Sequence, residues 1–111
     1  MRRIALAAVA LVAVFFGLAW AAASPQEKRE AAALFKDKCA SCHGKDGRAK
    51  TFKAKFNGAR DLTDARWHDE VTDERVFNSI TNGRGKMPAF GKKLTDAEVE
   101  SLVAFVRGLK K

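Results

Sequence analysis

Cys39, Ala40, Ser41, Cys42 and His43 run together as Cys-x-x-Cys-His. Two thiols three positions apart share one side of a helical turn. A histidine directly behind the second can swing a ring nitrogen toward whatever the sulfurs hold. Thiols at this spacing add across the two vinyl groups of a porphyrin, and the adjoining imidazole supplies an axial ligand to its iron. The pattern is the attachment signature of a c-type haem. Three other chemistries share Cys-x-x-Cys. A thioredoxin-like pair belongs to alternating strands and helices, and no segment of this chain reads as a convincing strand. A structural zinc site would recruit His43 and His68 beside both thiols, but adjacent Cys42 and His43 are poorly placed for one tetrahedron. A lone Cys39–Cys42 disulfide in a small exported protein is the plainest alternative.

An iron held by one histidine has a second face to fill. Met87 is the only methionine after Met1, and it sits in Asn82-Gly83-Arg84-Gly85-Lys86-Met87-Pro88-Ala89-Phe90-Gly91. Pro88 disfavours helical backbone at Met87, and the glycines let the loop bend around a bulky object. A lone methionine usually fills a gap in a core, but a glycine-flanked Met-Pro loop is not a core setting. Met87 is therefore expected as the distal ligand. His68 is the runner-up; it lies between Trp67 and Asp69-Glu70 and is read by preference as a surface histidine beside acids. A thioether favours ferrous iron and raises the potential. With both faces filled the centre moves one electron and admits no substrate. With an open face it would be a haem enzyme or a gas binder.

Three segments read as the helices that must position these groups. Ser24-Pro25-Gln26-Glu27 combines a serine cap, a proline suited to the first turn and a capping-box glutamate. The helix it opens carries Ala31, Leu34 and Phe35 on one face and leads into Cys39. Thr72 to Asn82 has a threonine cap, an acidic first turn, the apolar set Val76, Phe77 and Ile80, and Gly83 as a stop. Thr95 to about Leu109 opens on a second capping box, Thr95-Asp96-Ala97-Glu98. Its stripe of Val99, Leu102, Val103, Val106 and Leu109 has helical spacing, and the Ala31/Phe35 face is its natural partner. Residues 44–71 read as loop with at most one helical turn. Phe52, Phe56, Leu62 and Trp67 are scattered in it, and core packing is expected for Trp67 and for every phenylalanine.

Residues 1–23 read as a secretory signal peptide: Arg2 and Arg3, then an uncharged run from Ile4 to Trp20, then Ala21-Ala22-Ala23 for cleavage. The alternative is an uncleaved membrane anchor, because residues 4–23 are about long enough to span a bilayer. The remaining 24–111 form one domain of 88 residues with 19 basic and 13 acidic side chains, net +6, of which 36% are apolar. So thin a core gains from a buried macrocycle. Export removes the nucleic-acid reading of the basic charge and leaves an acidic protein partner or an anionic lipid surface. Lys36 to Arg60 holds eight basic residues against two acids, whereas Asp61 to Arg75 holds six acids against two arginines.

With these residues in place, the chain resembles the small class I bacterial cytochromes c, which carry one haem with His/Met ligation. The resemblance covers nearly all of 26–110. It rests on Phe35 ahead of Cys-x-x-Cys-His, on Gly44-Lys45-Asp46-Gly47 behind it, on the run from Ile80 to Pro88, and on the terminal amphipathic helix. It implies an all-α cytochrome c-like fold of three to five helices around one covalently bound haem c, with crossing terminal helices. It also implies periplasmic electron transfer by a non-enzyme. By position, Cys39 and Cys42 would form the thioethers, His43 would be the proximal ligand and Met87 the distal one. Many relatives place a proline after the motif whose carbonyl accepts a hydrogen bond from the ligand histidine. Phe56-Asn57-Gly58-Ala59-Arg60-Asp61 has none, so the resemblance names no such partner for His43. A monomer that docks acidic redox proteins at the haem edge is expected, or a haem subunit of a larger membrane complex if the leader stays on.

Overall fold

The capping signals become helix starts where they stand in the sequence. In the computed structural model, which describes residue 12 and residues 23–111, helix α1 spans Pro25–Lys38. Ser24 Oγ accepts from the Glu27 amide at 3.2 Å while the Ser24 amide donates to Glu27 Oε2 at 2.7 Å, which closes the capping box. Apart from residues 12 and 23, the leader read from 1–23 lies outside the described residues. Cys39 ends α1 and begins a single turn, α2, over Ala40–His43. The next two helices are short, α3 over Phe52–Asn57 and α4 over Ala65–Glu70. Helix α5 spans Asp73–Asn82 behind Thr72, and α6 spans Asp96–Arg107 behind a Thr95/Glu98 capping box. No strand is present among the described residues, only one isolated bridge between Arg84 and Met87.

The fold is all-α among the described residues, with six helical segments where three to five were expected. Two of them, α3 and α4, lie in the stretch expected to be loop with at most one helical turn. Thr51 caps α3 by accepting from the Ala54 amide at 3.0 Å, and Asp64 caps α4 by accepting from the Arg66 amide at 2.9 Å.

Helix α6 brings four buried residues to the centre, Val99, Leu102, Val103 and Val106. It packs on α1 as its stripe requires: Phe35 of α1 and Phe105 of α6 lie 4.8 Å apart between ring centroids, and α5 adds Val76 and Ile80. Phe35, Leu102 and Val99 are the largest side chains sealed from solvent. The helices thus make a layer of apolar side chains with the Cys39–His43 turn at one edge and the Met87 loop at another.

Candidate functional site

The turn that carries Cys39, Cys42 and His43 is closed by backbone bonds within itself. The His43 amide donates to the Cys39 carbonyl at 2.9 Å and the Gly44 amide to the Ala40 carbonyl at 2.8 Å. The Thr51 hydroxyl then donates to the Cys42 carbonyl at 2.9 Å while capping α3, so that helix is pinned to the turn. Both cysteines are free thiols in this structure. Burial and the neighbouring Cys42 push the Cys39 thiol up to about 11.

Opposite the turn, the loop after α5 is clamped at both ends. The Arg84 amide donates to the Met87 carbonyl at 3.1 Å and the Met87 amide to the Arg84 carbonyl at 2.9 Å. Further on, the Phe90 amide donates to the Ile80 carbonyl at 2.9 Å and the Gly91 amide to the Thr81 carbonyl at 3.0 Å. Gly83 makes the approach possible: its φ is +75°, and a Cβ there would stand 2.7 Å from the Met87 carbonyl oxygen.

Between turn and loop lies a predominantly apolar cleft that opens to solvent. Cys39, His43 and Met87 all line it, on walls built from Leu62, Trp67, Val71, Val76, Ile80, Leu102 and Val106. A thiol, an imidazole and a thioether converging in an apolar cleft is a donor set suited to a haem with two axial ligands. Arg60, Arg75 and Arg84 also line the cleft, and guanidinium groups suit carboxylates such as haem propionates. Cys42 does not line it; its Sγ lies 3.8 Å from Asn57 Nδ2.

The missing proline carbonyl is replaced by another one. His43 Nδ1 lies 2.9 Å from the Arg60 carbonyl oxygen. A carbonyl can only accept, so Nδ1 carries the proton and Nε2 keeps its lone pair for a metal. This partner escaped the sequence because a backbone carbonyl has no residue type to reveal it.

Two expectations are corrected. His68 is not a surface histidine: it is buried, its Nε2 donates to the Leu62 carbonyl at 2.7 Å, and its Nδ1 faces Arg107. It is outside the cleft lining, unlike Met87. Not every phenylalanine packs in the core: Phe52 and Phe56 are 78% and 66% exposed. Trp67 is partly buried against the core while also lining the cleft.

A helical shell around a cleft that gathers a Cys-x-x-Cys-His turn and a methionine loop defines a class I c-type cytochrome, and its cofactor is a covalently bound haem c. The model of the family described as "Cytochrome C oxidase, cbb3-type, subunit III" matches residues 26–106, and the chain belongs to that family. It is similar to the cbb3-type cytochrome c oxidase subunit CcoP of Cereibacter sphaeroides, with 38% identity over 81 residues, 72% of this chain and 27% of that subunit. It is also similar to cytochrome c6 of Picosynechococcus sp., with 35% identity over 107 residues, 93% of this chain and 87% of that protein. Among solved structures, the KustC0563 c-type cytochrome superposes with a TM-score of 0.68 at 39% identity, covering 73% of this chain and 98% of that one. The chain spans about a quarter of the length of the oxidase subunits it matches. Kinship with these cytochromes makes it a haem protein of the cytochrome c kind. No helix among the described residues is long and apolar enough to cross a membrane.

Proposed function

We propose that the chain is an exported single-electron carrier and no enzyme, made of a removable leader over 1–23 and a cytochrome c domain over 24–111, acting as a monomer in the periplasm. The observation that carries this reading is the presence of His43 and Met87 on the walls of one apolar cleft beside Cys39. Cys39 and Cys42 would hold the porphyrin by thioethers, and His43 and Met87 would fill the two axial positions. When bound, the haem iron supplies a one-electron couple.

The chain's own part is to hold, shield and bias that couple. The Arg60 carbonyl fixes the orientation of the His43 ring and its tautomer and raises its basicity as a ligand. The Met87 thioether favours the reduced state. The apolar walls would limit water around the group, and with His43 and Met87 both holding the iron no site for a substrate would remain.

Changing Met87→Ala should lower the reduction potential of the holoprotein and let carbon monoxide bind the reduced form at neutral pH. Unchanged absorption and potential would overturn Met87 as the ligand. Cys39→Ser together with Cys42→Ser should leave a product from which acidified organic solvent extracts all the haem. Retention of pigment through that extraction would overturn the thioether assignment.

Membership of an oxidase-subunit family favours a second reading, a haem subunit held in a larger membrane complex. Mass spectrometry of the purified product separates the two. Loss of residues 1–23 supports the free carrier, and their retention supports the anchored subunit.

A further inference from the structure

Outside the cleft, one surface feature is unaccounted for. Phe52 and Phe56 stand one helical turn apart on α3, their rings 4.8 Å between centroids and edge to face. Among residues 23–111 they are the large apolar side chains left exposed, and neither lines the cleft. A single exposed phenylalanine is ordinary, but two in contact make a patch.

The surroundings of the patch say what would cover it. Arg48 to Arg60 contains no acidic residue. Lys50, Lys53 and Lys55 lie on or beside α3, and Lys86 reaches across from the methionine loop, its Nζ donating to the Phe56 carbonyl at 3.1 Å. All four lysines are exposed, and none is paired with a carboxylate among the described residues. An apolar centre inside a charged rim is the anatomy of a protein-docking surface, and unpaired amines in the rim call for carboxylates opposite.

Its position selects a redox partner over a lipid surface. Thr51 Oγ1 binds the Cys42 carbonyl at 2.9 Å, Asn57 Nδ2 lies 3.8 Å from Cys42 Sγ, and Lys86 ties α3 to the methionine loop. The patch therefore sits where the two segments that flank the cleft meet, a place from which a docked partner could exchange electrons with a group held in the cleft. We infer that Phe52 and Phe56 form the apolar centre of the docking surface, and that the partner is a redox protein presenting an apolar hollow ringed by carboxylates. This rests on the carrier reading above.

The test follows oxidation of the reduced holoprotein by detergent-solubilised respiratory membranes of the source organism across a range of ionic strength, with ferricyanide as a small oxidant that needs no patch. Phe52→Ser with Phe56→Ser should slow oxidation by the membranes about tenfold or more at every ionic strength, keep the salt slope, and leave the ferricyanide rate unchanged. Lys53→Gln with Lys55→Gln should instead flatten the salt slope and keep the high-salt rate. If the double variant melts lower than wild type, Phe52→Ser alone is read in the same assay and should still slow oxidation severalfold. A phenylalanine variant as fast as wild type overturns the docking assignment and leaves the carrier reading standing. Wild-type holoprotein that reacts with ferricyanide but with no membrane component overturns the carrier reading, and this one with it. A variant that keeps its oxidation rate but no longer sediments with protein-free phosphatidylglycerol vesicles makes lipid the occupant and also overturns the assignment.

Discussion

Helices α3 and α4 are both six residues long, both opened by a side-chain cap, and both lie between the Cys39–His43 turn and α5. They are built into the molecule very differently. α4 turns His68 inward, and the far end of α6 fastens it. Arg107 donates from Nη1 to the His68 carbonyl at 2.9 Å, from Nη2 to the Val71 carbonyl at 2.6 Å and from Nε to Asp73 at 2.6 Å. Lys110 adds an ion pair to Asp69 at 2.6 Å, and the Lys111 amide donates to the Thr63 carbonyl at 3.0 Å. α3 buries only Ala54 and faces its two phenylalanines and its lysines to solvent. A segment whose charged side chains and histidine are all engaged serves the fold. A segment that leaves apolar rings and unpaired amines outside has surface to give to something else.

Arg107→Ala should expose that difference most strongly. It removes three charge-assisted bonds and leaves the His68 and Val71 carbonyls without their donor. The loss should be about 3 kcal/mol, on the order of 10–20 °C in melting temperature for a domain of this size. Arg107→Lys keeps the charge but not the fork, so it should recover only a minor part. A shift below about 5 °C for Arg107→Ala would mean that α4 is held no more firmly than α3. The smaller companion change, His68→Ala, removes the bond to the Leu62 carbonyl and opens a void, and should cost about 2 kcal/mol in the same melt.

How much of this was legible follows from how local each signal is. The starts of α1, α5 and α6 were read because each cap lies within four residues of its own partner: Ser24 with Glu27, Thr72 with Arg75, Thr95 with Glu98. Cys39, Cys42, His43 and Met87 were picked out because their residue types and neighbours carry chemistry, and three of the four meet in the cleft. α3 and α4 were missed because six residues are too few to show a helical period. The buried His68 ring is held by the Leu62 carbonyl and faces Arg107, 39 positions away, and local sequence reported only acids beside it. The aromatic rings of Phe52 and Phe56 looked like core because apolar residues usually are, and what keeps them outside is that only Ala54 of α3 faces in.

Asp61, on the connection between the two helices, gives a smaller effect with a defined pH dependence. Its carboxylate accepts from the Thr63 hydroxyl at 2.7 Å and the Thr63 amide at 2.8 Å, and these bonds hold it below the usual aspartate range. A lowered folded-state value means that the stabilisation is present above the unfolded-state value and is lost as pH falls through the folded one. Asp61→Asn should therefore cost at most about 1 kcal/mol near neutrality, since the group is well solvated, and the gap to wild type should close in acid. Melts that stay equally far apart at about pH 7 and about pH 2 would show that the loss is steric and not tied to ionisation.

The smallest stability effect belongs to the phenylalanine pair, and its smallness is the point. A ring pair at i,i+4 on an exposed helix stabilises by about 0.2–0.5 kcal/mol, and exposed substitutions normally stay within about 0.5 kcal/mol. Phe52→Ser with Phe56→Ser should leave the melting temperature within a few degrees of wild type, because both rings are largely exposed. Set beside Arg107→Ala, which cuts α4 loose from α6, this gives lesions bearing on two neighbouring six-residue helices with different results: one lowers the melting temperature by about 10–20 °C, and the other by no more than a few degrees. A loss above about 1 kcal/mol from the phenylalanine pair would show that the rings hold α3 in place. The contrast between the two helices would then reduce to how deeply each is buried.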